Sequence, residues 1–211
     1  MSMPRKQTVS CPKCGKTIEF TMWQSINNEM SFAMPDIISG KLFEVECKHC
    51  GLKTHVNYPI LVNDMAHNVM IYYTYPDGVE ETEKALEHMK KIYNGKTRIV
   101  TDQTSLREKV GIFNAGLDDR VIELLKAIVM VQVNDQIADK DVQGAYFIAD
   151  DNPRFEVVYE DGSGYIPIDM EFYKKVEEEF FGESALAVDE EIYVDRDWAY
   201  SLLESEEETD E

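Results

Sequence analysis

Two Cys-x-x-Cys pairs, Cys11-Pro12-Lys13-Cys14 and Cys47-Lys48-His49-Cys50, constrain this chain more than any other feature. A tetrahedral ion needs four ligands converging from different directions, and one tight Cys-x-x-Cys turn supplies two of them. Each pair is followed by a glycine, Gly15 and Gly51. Glycine tolerates positive φ, so the chain can turn sharply beneath the sulfurs and aim backbone N–H groups at them. Pro12 fixes φ directly after the first ligand. Thirty-two residues separate Cys14 from Cys47, more than the usual ribbon spacing of roughly 15–20. That insertion is long enough for a strand, a short helix and a returning strand, so the two pairs are expected to meet around one ion.

Four thiolates leave no open coordination position, and zinc held this way is structural. One structural zinc ion per chain, bound by Cys11, Cys14, Cys47 and Cys50, is therefore the expected cofactor. Iron is the alternative, because four thiolates also suit a rubredoxin-like centre, which would make the chain an electron carrier. Electron carriers of that kind need little beyond the metal lobe, and this chain is far longer. Disulfides or unrelated thiols are the remaining readings. His49 inside the second knuckle and His55 after it are expected to be solvated, since four cysteines already suffice.

Residues 17–26 read as a strand leaving the first knuckle, 33–40 as one or two helical turns, 42–46 as a strand entering the second knuckle and 53–58 as one leaving it. Val69 to Tyr75 is densely apolar and reads as a strand buried on both faces or turning an apolar face toward the second lobe. A helix follows with Ala85, Leu86, Met89, Ile92 and Tyr93 on one stripe. A short strand is expected over 98–101. Ser105 and Glu108 have capping-box spacing for a helix stopping near Gly116. Asp118 is expected to cap a long helix reaching about Gln136. Residues 146–149, 155–159 and 165–168, joined by turn-forming stretches, predict a three-stranded meander. Asp169 and Asp195 are expected to cap two further helices, the first ended by Gly182 and followed by a linker over 183–191. The fold class is α+β. A zinc-ribbon-like β lobe is expected over residues 1–80, with an α+β lobe of helices, antiparallel meander and C-terminal helices over 81–204 packed against it. An acidic disordered tail is expected over 205–211.

The net charge of −20 is uneven: +2 over residues 1–60 and −17 over 151–211. A body this acidic is repelled by phosphate backbones and anionic lipid, so nucleic acid is a poor partner for the whole chain. No apolar run approaches bilayer length and the first residues lack an apolar signal core. No membrane contact is expected, and the expected compartment is the cytoplasm, where thiols stay reduced and favour metal over disulfide.

Several short pieces fall in a specific order: Cys11-Pro12-Lys13-Cys14, Ser25-Ile26-Asn27, Gly40-Lys41-Leu42-Phe43, Cys47 to Gly51, Tyr58-Pro59 and Asp64-Met65. The stretch from Gly116 to Glu123, GLDDRVIE, extends the series. Over about residues 8–130 the chain resembles the CpXC domain family, found mainly in bacteria. The resemblance implies zinc bound through the four cysteines and implies no activity. Lys48 stands where the family has proline, which leaves the ligands intact and makes the second turn less rigid.

The sequence carries no phosphate-cradling glycine loop, no nucleophile elbow and no HExxH. The first functional expectation is therefore a non-enzymatic protein that recognises an unidentified protein partner. The second is an enzyme with a site between the lobes, using Asp64, His67 and carboxylates. On a helical turn these two would share a face, as an acid–base pair or the start of a second metal site. The plainer reading is a surface turn with a capping Asp. The third is nucleic-acid binding by the ribbon alone, through Arg5, Lys6, Lys13, Lys16, Lys48 and Lys53 with Trp23 or Phe20 stacking on bases. There the plainer reading is a charged rim and a core tryptophan.

Overall fold

The computed structural model describes residues 2–136, 142–150, 152–185 and 189–207. It is an α+β protein dividing into two compact units, Met1–Val110 and Gly111–Glu211. The position expected to end the first lobe, residue 80, falls inside the first unit. No helix among the described residues is long and apolar enough to cross a membrane.

The first unit is built on a five-stranded mixed sheet. Its strands are β1 (Met3–Ser10), β2 (Thr17–Asn27), β5 (Ile60–Asp64), β6 (Val69–Tyr73) and β7 (Lys96–Val100), side by side in that order. β1 and β2 form an antiparallel hairpin, β2 and β5 run parallel, β5 and β6 are an antiparallel hairpin, and β6 and β7 run parallel. Between β2 and β5 the chain inserts α1 (Ala33–Ile38) and the short antiparallel ribbon of β3 (Glu44–Glu46) and β4 (Lys53–His55). The 32 residues between Cys14 and Cys47 have the expected strand–helix–strand content, in β2, α1 and β3. Lys41–Phe43 winds one 3-10 turn, which shortens the strand expected over 42–46.

β6 is buried at Val69, Met70, Ile71 and Tyr73, as its apolar density predicts. β5 alternates, with Ile60, Val62 and Asp64 inward. Phe43 reaches this core from the insertion, packing at a tilt against Tyr58 at 5.1 Å and edge-on to Tyr73 at 6.4 Å. β1 lies outside the expectations. Its residues, MPRKQTVS, are mostly exposed, and Pro4 and two basic residues mark an edge strand rather than an apolar one.

Two helical expectations are corrected. The helix α2 (Val79–Met89) stops before Ile92, which is 83 % exposed, so the apolar stripe does not continue to Tyr93. The helix α3 (Gln103–Asn114) is capped by Asp102, not Ser105: the Ser105 amide donates to Asp102 Oδ1 at 2.8 Å. Ser105 is the third helical residue, and its hydroxyl donates to the other oxygen of the same carboxylate at 2.6 Å.

In the second unit α4 (Asp119–Gln136) packs on α5 (Met170–Ala185), on α6 (Arg196–Glu207) and on β8 (Val142–Ile148). β8 is the edge of an antiparallel meander whose other strands are β9 (Arg154–Tyr159) and β10 (Gly162–Pro167). Val121, Ile122, Leu124 and Leu125 of α4 meet Phe147, Phe155, Tyr173, Val176, Phe181 and Ala199 in one core. The expected caps are present. Asp118 Oδ1 accepts the Arg120 amide, Asp169 Oδ1 the Glu171 and Phe172 amides, and Asp195 Oδ1 the Trp198 amide. Gly182, at φ 54°, breaks α5 where a stop was expected, and helical turns resume to Ala185. Of the expected linker, 186–188 lie outside the described residues. Of the expected tail, 205–207 close α6 and 208–211 lie outside them.

Candidate metal centre

The first knuckle closes the β1–β2 hairpin and the second closes the β3–β4 ribbon. They are built alike. In the first, the Gly15 amide donates to Cys11 O at 2.9 Å and the Cys11 amide to Lys16 O at 2.8 Å. In the second, the Gly51 amide donates to Cys47 O at 2.8 Å and the Cys47 amide to Leu52 O at 2.9 Å. Gly15 has φ 68° and Gly51 φ 71°, the left-handed conformation that each turn requires.

The structure brings all four predicted ligands together. The sulfurs of Cys11, Cys14, Cys47 and Cys50 lie within 4.8 Å of one another, and no disulfide joins them. Cys11 Sγ is 3.6 Å from Cys50 Sγ, and Cys14 Sγ is 3.6 Å from Cys47 Sγ. A tetrahedron with arms of about 2.3 Å has edges of about 3.8 Å, so the four sulfurs are spaced to surround one ion. Cys11 and Cys47 are buried and Cys14 is exposed.

Electrostatics point the same way. Burial opposes ionisation of Cys11, yet the backbone amides of Cys14 and Lys13 outweigh it and lower that thiol to about 6. The Lys16 amide favours the Cys14 thiolate, but burial and the sulfurs of Cys11, Cys47 and Cys50 push that thiol up to about 12. Sulfurs this close cannot all ionise against one another, and a divalent cation removes the conflict by making every thiolate favourable.

The other candidates fall elsewhere. His49 and His55 are exposed and belong to no ligand cluster. Lys6 sits 3.6 Å from Glu19 and Lys53 2.8 Å from Glu44, so part of the basic rim is matched by acid across the strands. Trp23 is half-buried against Phe32 at 5.9 Å, and Phe20 packs toward Tyr58 at 6.3 Å.

Asp64 and His67 are together, but not on a helix. Asp64 is the last residue of β5, and His67 lies in the turn that leads into β6. The Asp64 carboxylate is buried. Its Oδ1 accepts from Asn28 Nδ2 at 2.7 Å, Ala66 N at 3.1 Å and His67 N at 3.3 Å, and its Oδ2 is 2.6 Å from His67 Nδ1. In the NDMAH turn Asp64 accepts two backbone amides, as a capping Asp does, and its other oxygen also meets the imidazole. Asn28 has no signal in the sequence. Thirty-six positions separate it from Asp64, and the parallel pairing Asn27↔Asn63 brings them together.

The profile of the family described as CpXC protein matches residues 9–126, more than half of the chain and all four cysteines. No curated protein and no solved structure matches the chain. With both knuckles and the long insertion inside the matched region, this chain belongs to the CpXC protein family.

Proposed function

We propose that the four cysteines hold one zinc ion in a structural role, and that the chain is a cytoplasmic, non-enzymatic protein that recognises a protein partner. The observation that carries the structural role is the composition of the small core around the knuckles. Its buried members are Cys11, Ile18, Val45 and Cys47, so half of them are ligands. β3 and β4 have three residues each. A ribbon this short, resting on so little apolar surface, needs a staple to keep one conformation. A closed set of four thiolates supplies it and leaves no vacant position for a substrate or an activated water.

Iron in the same four-sulfur cage would give an electron carrier. Zinc is favoured because a carrier of this kind needs little beyond its metal lobe, whereas here a second unit has its own core. Recognition of protein rather than nucleic acid is supported by charge: the first unit carries a net +1 and the second −21.

Elemental analysis of the purified chain, with its visible spectrum, tests the metal. Zinc near one per chain without thiolate-to-iron absorption supports the reading, and stoichiometric iron sinks it. A panel of model esters, phosphoesters and peptides tests the non-enzymatic part. Affinity capture from the source cells with wild-type and Cys47→Ser chains tests recognition: a protein retained by the first and lost by the second is the expected result.

A further inference from the structure

The meander of the second unit has one face in the core and one that carries exposed aromatic rings. Phe147 and Phe155 point into the core shared with α4, and Ala145 and Val157 into the apolar cluster beside it. The strand period of two sends their neighbours to the opposite side. There Tyr146 of β8 pairs with Glu156 of β9, and Glu156 with Tyr165 of β10. The three side chains form one row across the sheet, with the two tyrosines about 10 Å apart at roughly 4.8 Å per strand. Tyr146 is 39 % exposed and Tyr165 59 %.

The row is suited to a cation. Ser163 donates to Glu156 Oε1 at 2.8 Å, and the Tyr165 hydroxyl donates to the same oxygen at 3.4 Å. Oε2 accepts no hydrogen bond among the described residues. One guanidinium already uses a ring here. Arg154, the next residue on this face of β9, lies over Tyr165 at 5.2 Å from the ring centre. Its charge is met by Asp150, and its Nη1 also donates to Asn152 O at 3.2 Å, which leaves little to repel a second cation. On β8, a Cβ at Gly144 would come within 3.4 Å of the Tyr146 ring, so that ring leans over the glycine along its own strand.

Charge selects the occupant. Residues 142–167 hold five acids and one base, a net −4, within a unit that carries −21. Nucleic-acid bases stack on tyrosine, but their phosphates are repelled at this charge. A second copy of this chain would set acid against acid. A cationic segment is attracted. Arginine suits the row better than lysine, because its planar guanidinium both stacks on a ring and pairs with a carboxylate.

We propose that this face of the meander docks an arginine-bearing segment of a protein partner, whose guanidinium groups stack on Tyr146 and Tyr165 and pair with Glu156. The inference rests on the reading that this chain recognises protein. It adds a contact on the second unit, apart from the knuckles.

The probe is an eight-residue peptide of alternating arginine and glycine, capped at both ends and titrated calorimetrically into the zinc-loaded full chain. Binding is expected, and it should weaken as salt rises from about 0.01 M to 0.15 M. Tyr146→Ala combined with Tyr165→Ala is expected to weaken it about tenfold at unchanged net charge, since each cation–ring contact contributes a few-fold. The same two positions changed to phenylalanine keep their rings and should bind like wild type, which separates lost stacking from a disturbed sheet. Glu156→Gln is expected to weaken binding more than Glu178→Gln combined with Glu179→Gln, two exposed carboxylates on α5, although that pair removes twice the charge. The proposal is overturned if the peptide does not bind, if the alanine chain binds as tightly as wild type, or if a lysine peptide binds as tightly as the arginine one. Preference for an oligouridylate of equal length, or a wild-type dimer that the alanine changes dissolve, would overturn it too by assigning the face another occupant. None of these residues lies in the first unit, so any such result leaves the zinc reading and the capture experiment with Cys47→Ser as they stand.

Discussion

Gly15 and Gly51 are the residues on which both knuckles turn. Their φ values of 68° and 71° lie in the left-handed region, although a Cβ at either position would meet no other atom within 4 Å. Substitution by alanine therefore tests backbone strain alone, at about 1–2 kcal/mol for each position. Gly15→Ala and Gly51→Ala are each expected to lower the melting temperature of the zinc-loaded chain and to weaken zinc about tenfold in chelator competition. Unchanged competition curves would show that the turns adapt. These glycines and the four cysteines were legible because their chemistry is local. Asn28 was not, because its importance comes from strand pairing with a segment far along the chain. Tyr58 supplies a second test at this scale. Burial pushes its phenol from an ordinary 10.0 up to about 12, and its hydroxyl donates to Leu42 O at 3.3 Å. Between those values the unfolded chain has shed the proton and the folded chain keeps it, so each rise in pH favours unfolding. This contribution is complete below pH 10 and disappears by about pH 12. Tyr58→Phe should melt with a shallower loss of stability across that window, and an unchanged slope would remove the burial argument.

Among the elements, the helices that were easy to read open on a capping Asp followed by a clear apolar stripe. α4, α5 and α6 follow this pattern, with Asp118, Asp169 and Asp195 as caps. The meander was legible because its turns are dense in Asp, Asn and Gly and its strands are short. β1 was not, because an edge strand protected by Pro4, Arg5 and Lys6 lacks the apolar alternation that identifies a strand. α3 shows how spacing misleads. Ser105 and Glu108 have the right separation, but Asp102 three residues earlier competes for the same cap and accepts the Ser105 amide. Asp102→Ala is expected to cost about 1 kcal/mol in chemical denaturation. Ser105→Ala, which removes only a hydroxyl donor to that carboxylate, should cost less than half as much. The reverse order would return the cap to Ser105.

At the scale of the whole chain, charge and the candidate metal site fall in different units. All four cysteines lie in the first, whose net charge is +1, and the second carries −21. The two stresses should therefore be separable, and the sequence provides the reporters: its two tryptophans are Trp23, packed on Phe32 in the first unit, and Trp198, packed on the core of the second. Single-tryptophan chains, Trp23→Phe and Trp198→Phe, each follow one unit by fluorescence during a thermal melt. A zinc chelator is expected to lower the Trp23 transition by 10 °C or more and to move the Trp198 transition much less, because the small core of Cys11, Ile18, Val45 and Cys47 loses its staple. Salt should act oppositely. Self-repulsion at −21 weakens with screening, as the Debye length falls from about 30 Å at 0.01 M to about 8 Å at 0.15 M. The Trp198 transition should then rise by several degrees, with little change at Trp23. If chelator lowered both transitions equally, the units would melt as one and the metal would brace the whole chain. If it lowered neither, the four sulfurs would not be holding the first unit together, and the structural role of the metal would be lost.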